Sequence, residues 1–313
     1  MRTPDRLLAL LFAASVGAPA PCAGATSRTR AEEMAVTLNV RYAQTPGVEA
    51  GAQSLDIYAP GNARDAPVLV YIHGGGWSGG DKRAVGLKAK FFTSGGWIFV
   101  SINYRLLPAG RHPANVEDVA RALAWVHSKI AGYGGDPARL CLMGHSAGAH
   151  LAALAATDHR RLEAAGKSLD ILKGVIPLDT NVYNLPELME SGAGAYAGVF
   201  GRDPELWRDA SPAFHVAKGK RLPPFLVFYS RGAAGGENKI RARQARAFAG
   251  LLQEAGTPAE VCDASDRTHG EINQWFGRPD DRVTHKAMEV LNSAAGRRPA
   301  KPAPPPDRPP RPG

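Results

Sequence analysis

The sequence predicts a three-layer α/β sandwich around a mostly parallel sheet of roughly eight strands. Short apolar runs bounded by turn residues alternate along the chain with segments of helical spacing. Most of these runs are hydrophobic at every position, which suits parallel strands that are covered on both faces. Alternating strands and helices then favour a sheet with helices packed on either side.

The individual elements follow from the spacing of apolar residues. Buried parallel strands are expected at residues 68–72, 97–102, 140–143, 174–178 and 225–229, and a further strand-like run covers residues 259–262. Residues 36–42 and 53–58 alternate between apolar and polar side chains, which predicts edge strands with one wet face. Helical steps of three and four residues predict helices near residues 116–130 and 283–294.

Both ends of the chain are expected to lie outside the folded domain. Residues 1–25 combine Arg2 and Arg6 with an apolar core and small residues ending in Ala23-Gly24-Ala25, the pattern of a secretory signal peptide. Residues 296–313 hold eight prolines among eighteen residues, which predicts a disordered tail that favours polyproline II. We therefore expect an exported protein, periplasmic or extracellular, whose single domain spans residues 26–295.

The charge balance gives little support to a nucleic-acid partner. Of the formal net charge of +9, the tail carries +4 and the leader +1, which leaves +4 to the domain. The high isoelectric point is thus largely a property of the tail. No apolar stretch reaches the roughly 18 residues of a spanning helix, so no integral membrane segment is expected after signal cleavage. Cys141 and Cys262 are expected to be buried free thiols, and the sequence does not indicate an oligomeric state.

Two glycine-rich motifs carry the chemistry. Gly144-His145-Ser146-Ala147-Gly148 lies between an expected strand and an expected helix, so Ser146 would stand on a sharp turn at a helix N-terminus, clear of neighbouring side chains. His73-Gly74-Gly75-Gly76-Trp77 directly follows another strand, where glycines leave backbone N–H groups free to face a pocket. The predicted oxyanion-hole donors are the N–H groups of Gly75, Gly76 and Ala147.

These motifs resemble the α/β-hydrolase family, in particular the hormone-sensitive-lipase-like and kynurenine-formamidase-like esterases. Further matching residues are Ser101-Ile102-Asn103-Tyr104-Arg105-Leu106 and Gly134-Gly135-Asp136-Pro137. The resemblance covers about residues 50–295 and implies the α/β-hydrolase sandwich, a small insertion at about residues 183–220 over the carboxyl edge of the sheet, and serine chemistry. It does not specify a substrate.

The resemblance also implies a histidine and an acid that follow the serine along the chain. His269 matches the histidine of the last loop, ahead of the weaker choices His285 and His215. The acid departs from the family pattern, because no Asp lies between residues 225 and 261 where one is usual. Glu237 is the only carboxylate in that loop and is therefore the predicted acid. Asp266, Asp263 and Asp179 remain rivals.

The expected function is hydrolysis of small carboxylic esters through a Ser146–His269–Glu237 triad and an acyl-enzyme, with a small-molecule ester as the partner. Two alternatives stay open: an arylformamidase, because the same motifs occur there, and a non-catalytic binding protein on a hydrolase scaffold. No H-E-x-x-H or paired C-x-x-C motif is present, and the glycines of residues 192–197 follow no strand, so no metal or cofactor is expected.

Overall fold

A computed structural model of the chain describes residues 33–190, 194–232 and 239–297. The strands are β1 (Ala35–Arg41), β2 (Ser54–Ala59), β3 (Ala66–Ile72), β4 (Ile98–Ile102), β5 (Gly135–His145), β6 (Leu172–Leu178), β7 (Phe225–Ser230) and β8 (Ala259–Ala264). They form one sheet in the order β1-β2-β4-β3-β5-β6-β7-β8. Only the pairings β1/β2 and β2/β4 are antiparallel, so β2 alone runs against the other strands of the described sheet. The predicted fold class is confirmed.

Helices connect the strands and cover both faces of the sheet. They are α1 (Lys88–Ser94), α2 (Ala114–Lys129), α3 (Ala147–Thr157), α4 (His159–Ala164), α5 (Leu185–Glu190), α6 (Ala197–Phe200), α7 (Pro204–Asp209), α8 (Lys239–Glu254), α9 (Glu271–Gln274) and α10 (Arg282–Ala294). The described residues between β6 and β7 form only short helices and turns, in the region where an insertion without strands is expected. None of the helices in the described ranges is both long enough and apolar enough to span a bilayer.

The core consists of two apolar layers, one on each side of the sheet. Successive side chains of β3 point to opposite faces, so Val68 and Val70 join the layer under α2 and α3, while Leu69 and Tyr71 join the layer under α1 and α10. This is why the strand is hydrophobic at every position. The parallel strands β3 to β7 meet at one carboxyl edge, which is where ligands bind in sheets of this kind.

One expectation about the strands is wrong. β2 was expected to be an edge strand with a wet face, but it lies between β1 and β4 and is buried at all but one position. Its polar members Ser54 and Asp56 are buried through hydrogen bonds, which the alternation alone does not reveal. β1 and β8 are the two edge strands, and β1 is the more exposed of them. Both cysteines are free as expected, although Cys262 is only half-buried.

The predicted signal peptide, residues 1–25, lies outside the described residues, as does the tail from residue 298 onward. Arg297 is described, and its guanidinium donates a hydrogen bond of 2.7 Å to the carbonyl oxygen of Gly95.

Candidate active site

Ser146 stands on a strained turn between β5 and α3. Its backbone angles are φ 56° and ψ −119°, a region that residues with a side chain rarely occupy. The turn needs glycine two residues before and two residues after Ser146, because a Cβ on Gly144 would overlap the carbonyl of Gly148, and a Cβ on Gly148 would overlap that of Ile72. The serine is therefore presented, half-buried, at the N-terminus of α3, where free N–H groups favour developing negative charge.

His269 reaches Ser146 from the loop that follows β8. Its Nε2 lies 2.8 Å from Ser146 Oγ, so the neutral imidazole can accept the hydroxyl proton. The backbone holds the ring in place, because the N–H of His269 donates to the carbonyl oxygen of Gly232 at 2.8 Å. The other predicted histidines lie elsewhere: His285 bonds the carbonyl of Pro279, and His215 bonds that of Asp209.

The carboxylate beside His269 belongs to Asp179. This residue directly follows β6 with φ 63°, is fully buried, and accepts a hydrogen bond of 2.5 Å from His269 Nδ1. Glu237, the acid that we predicted, lies outside the described residues. The two other rivals are engaged away from His269: Asp263 accepts from the Tyr229 hydroxyl, and Asp266 pairs with Arg282.

Three further groups stabilise the charge of Asp179. Burial alone would raise the pKa of this carboxyl, but hydrogen bonds from His269 and Ser230 and the positive charge of Arg241 lower it below its usual range. The backbone N–H of Ser230 donates to Asp179 Oδ1 at 3.0 Å, its hydroxyl donates to Oδ2, and Arg241 Nη1 lies 3.2 Å from Oδ1. Asp179 is thus an ionised carboxylate that is held in place beside Nδ1 of His269.

His145, the residue before the serine, is a second contact of His269 that the sequence reasoning missed. Its Nε2–H donates to the carbonyl oxygen of His269 at 2.8 Å, and the two rings lie 4.6 Å apart. Burial and the neighbouring His269 lower the pKa of His145 to about 3. A neutral ring at this position places no positive charge beside the ring of His269.

The glycines after β3 approach Ser146 from the other side. A Cβ on Gly74 would lie 3.0 Å from the Ser146 Cβ, so the backbone passes directly over the serine. Gly75 has a φ of 122°, which only glycine adopts easily, and Gly76 has a φ of 61°. Among the described residues, no acceptor bonds the N–H of Gly75 or Gly76. Ala147 is the first residue of α3, where helical N–H groups also lack an internal partner.

Aromatic side chains surround the glycines on the side of the insertion. Trp77 is buried and makes edge contacts with Tyr196 at 5.9 Å and Phe200 at 5.1 Å. The Tyr196 hydroxyl donates a hydrogen bond of 3.2 Å to Asn181 Oδ1, two residues beyond Asp179. These contacts join the loops after β3 and β6 on either side of Ser146.

Within the described ranges, one group of three side chains has metal-ligand spacing: Asp158, Asp209 and His215. Both carboxylates are already paired with arginines. Arg160 lies 2.7 Å from Asp158 and 2.6 Å from Asp209, and Arg161 lies 2.9 Å and 2.5 Å from the same two groups. The cluster is charge-compensated by protein side chains and joins α4 to α7.

Comparison with known proteins finds a matching family model and several similar esterases. The BD-FAE family model matches residues 55–244. Esterase LipQ of Mycobacterium tuberculosis is 35% identical over 248 residues, covering 70% of this chain and 57% of that protein. The isoprenylcysteine alpha-carbonyl methylesterase ICME of Arabidopsis thaliana is 30% identical over 234 residues, covering 70% and 54%. The chain thus spans a little over half the length of these relatives.

Solved structures share the fold at low sequence identity. An inhibited esterase B from Lactobacillus rhamnosis superposes with a TM-score of 0.69 at 22% identity, covering 85% of this chain and 88% of that one. A truncated carbohydrate esterase from gut microbiota superposes with a TM-score of 0.69 at 19% identity, covering 86% and 99%. Together with the family match over most of the domain, the glycine motifs and the eight-stranded sheet place the chain in the BD-FAE family of hormone-sensitive-lipase-like α/β hydrolases.

Proposed function

We propose that the protein is a serine carboxylesterase that cleaves small esters, with Ser146 as nucleophile, His269 as base and Asp179 as acid. The observation that carries this proposal is the hydrogen-bonded chain from Ser146 Oγ through both nitrogens of His269 to Asp179. Geometry defines such a triad, whatever the positions of its members in the sequence. The names of the relatives, esterases and a methylesterase, support ester hydrolysis as the reaction.

The reaction follows from the positions of these atoms. His269 Nε2 takes the hydroxyl proton as Ser146 Oγ attacks the carbonyl carbon, and the carbonyl electron pair moves onto oxygen. The N–H groups of Gly75, Gly76 and Ala147 are the proposed donors to that oxyanion. Asp179 stabilises the imidazolium, which protonates the departing alcohol. Water then attacks the acyl-enzyme by the same route and releases the carboxylic acid.

Placing the acid on Asp179 revises the choice of Glu237. Asp179 directly follows β6, the strand that pairs with β5, and its neighbour Leu178 accepts a hydrogen bond of 3.3 Å from Ser146 N–H. The last residue of β7, Ser230, instead contributes its N–H and its hydroxyl, which both donate to the Asp179 carboxylate. In this arrangement β7, the strand after which the acid usually lies, supplies hydrogen-bond donors to a carboxylate that follows the neighbouring strand β6.

Hydrolysis of p-nitrophenyl butyrate by the wild-type protein and by Ser146→Ala tests the proposal. We expect turnover by the wild type, loss of turnover in the variant, and labelling of the wild type alone by a serine-reactive phosphonate. Undiminished turnover by Ser146→Ala would contradict it. Activity on N-formylkynurenine that far exceeds activity on the butyrate would instead favour an arylformamidase.

Export remains a proposal that rests on residues 1–25 alone. The basic start, the apolar core and the small-residue exit ending at Ala25 support it. Expression of the full chain in a bacterial host, followed by fractionation and N-terminal sequencing, tests it. The expected mature protein begins at Thr26 outside the cytoplasm, and an uncleaved cytoplasmic product would contradict it.

A further inference from the structure

Lys82 is a buried cation at the far end of the loop that carries the proposed oxyanion donors. We call residues 73–82, between β3 and α1, the glycine loop. The Lys82 side chain is only 3% exposed, although lysine is seldom buried unless its charge is paired. The buried position therefore needs an explanation from its partners.

Those partners lie on three separate parts of the sheet. Lys82 Nζ donates to Asp56 Oδ1 on β2 at 2.7 Å and to Asn39 Oδ1 on β1 at 2.7 Å. The backbone N–H of Lys82 donates to Oδ1 of Asn103, just after β4, at 2.6 Å. Asn103 is itself fixed, because its amide donates to the carbonyl of Gly51 at 3.0 Å and its carbonyl accepts from the Tyr42 hydroxyl at 2.9 Å.

Apart from Lys82, two hydrogen bonds join the far half of the glycine loop to distant parts of the described domain: the carbonyl oxygen of Trp77 accepts one of 2.9 Å from Leu107 N–H, and Asp81 Oδ2 accepts one of 3.3 Å from the Asn103 amide. The glycine loop contains five glycines and no helix or strand, and glycine loses the most conformational freedom when it is ordered. Its first half is held by the end of β3 and by the Tyr104 hydroxyl, which donates to the carbonyl of His73 at 3.1 Å. Its second half leads to Lys82. Oxyanion donors stabilise a transition state most when they are fixed in place before the reaction.

We propose that Lys82 is a positioning residue that holds the glycine loop, and with it the N–H groups of Gly75 and Gly76, in the geometry of the oxyanion hole. The inference rests on the proposed function, because it assigns a role within that site. A buried ion pair adds little net stability compared with apolar side chains of similar volume. The Lys82–Asp56 pair is therefore better explained by the position it imposes on the loop than by stability.

The test compares Lys82→Met with the double variant Lys82→Met/Asp56→Leu, which removes both charges and so avoids leaving Asp56 buried without its cation. The substrates are p-nitrophenyl butyrate and its thionoester, in which sulfur replaces the carbonyl oxygen. Sulfur is larger and a weaker hydrogen-bond acceptor, so the thionoester depends less on the oxyanion donors. We expect kcat for the ester to fall about 10- to 100-fold with KM changed less than about twofold. The ester-to-thionoester ratio of kcat/KM should fall by a similar factor.

The matched control is Arg161→Met, which also removes a cation from a buried aspartate, Asp158, but on α4. It should lower stability and leave the ratio unchanged. A folded double variant with the wild-type ratio would overturn the positioning role while leaving the esterase assignment intact. Absence of ester turnover in the wild type, or equal wild-type rates on the two substrates, would instead contradict the proposed function or its oxyanion hole.

Discussion

Replacing Asp179 with asparagine tests the hydrogen-bonded chain at its buried end. Asparagine has nearly the same shape, so its carbonyl can still accept the N–H of Ser230, now 3.0 Å from Oδ1. Its amide nitrogen then faces His269 Nδ1 in place of the oxygen that lies 2.5 Å away. An amide N–H donates, so Nδ1 must be the unprotonated nitrogen and the ring proton moves to Nε2. That proton points at Ser146 Oγ, and the imidazole can no longer act as a base.

The expected loss follows from this change of tautomer. In the well-studied serine protease triad the same substitution costs about 10⁴ in kcat with the geometry intact. A loss of about 10⁴ corresponds to about 5 kcal/mol of activation free energy. The variant also removes the negative charge that Arg241 meets at 3.2 Å, so we expect a lower melting temperature. Circular dichroism at the assay temperature must therefore show that the variant is folded.

The assay is steady-state hydrolysis of p-nitrophenyl butyrate at neutral pH, with Glu237→Gln as the matched control. We expect Asp179→Asn to lose nearly all kcat and Glu237→Gln to stay within about twofold of wild type. If a folded Asp179→Asn keeps more than about a third of the activity while Glu237→Gln loses about 10³-fold, the acid is Glu237 and the reasoning from Asp179 is refuted.

Three further predictions concern stability, and one of them also concerns activity. Burial lowers the pKa of His150 to about 3. As the pH drops below the ordinary histidine pKa, the unfolded chain therefore takes up a proton that the folded chain does not, and the free energy of unfolding decreases as the pH is lowered. Between pH 6.5 and pH 5 this group should lower the free energy of unfolding by about 2 kcal/mol, which urea unfolding can measure. The same pH dependence of stability in His150→Gln would contradict the prediction. Gly148→Ala should lower the melting temperature and the activity, because the new Cβ overlaps the carbonyl of Ile72. Gly250→Ala, in α8 with nothing within 4 Å of the added Cβ, should instead raise stability by up to about 1 kcal/mol; a stable, active Gly148→Ala would refute the packing argument.

Most of the sheet could be predicted because strands buried on both faces leave a strong local signal. β3, β6 and β7 each appear in the sequence as an unbroken apolar run close to their observed bounds. β2 was misjudged because its polar residues are buried by distant partners: Asp56 meets Lys82, which lies 26 residues further along the chain. The alternation of polar and apolar residues shows where polar side chains lie along the chain, but it does not show whether a distant partner will bury them.

The acid shows the same limit at the site. Family order and position favoured Glu237, since the loop after β7 is where the carboxylate usually lies. Asp179 had one local signal, its place at the carboxyl end of a buried strand. Its proximity to His269 depends on the pairing of β6 with β7 and of β7 with β8, which brings residues 90 positions apart into a hydrogen bond. Strand order decides this contact, and no local pattern encodes it.

By itself the sequence determined the α/β sandwich, the turn that presents Ser146 and the glycine-rich loop after β3, because each depends on residues close together in the chain. The steric demand at Gly144 comes from Gly148, four residues along the chain, although the demand at Gly148 comes from Ile72 on β3. Periodicity sets which faces are buried. Only the tertiary structure decided which carboxylate faces His269, why His145 stays neutral and what holds Lys82. These contacts join segments that come together only when the sheet is assembled. The burial that results then sets the charge of each titratable group.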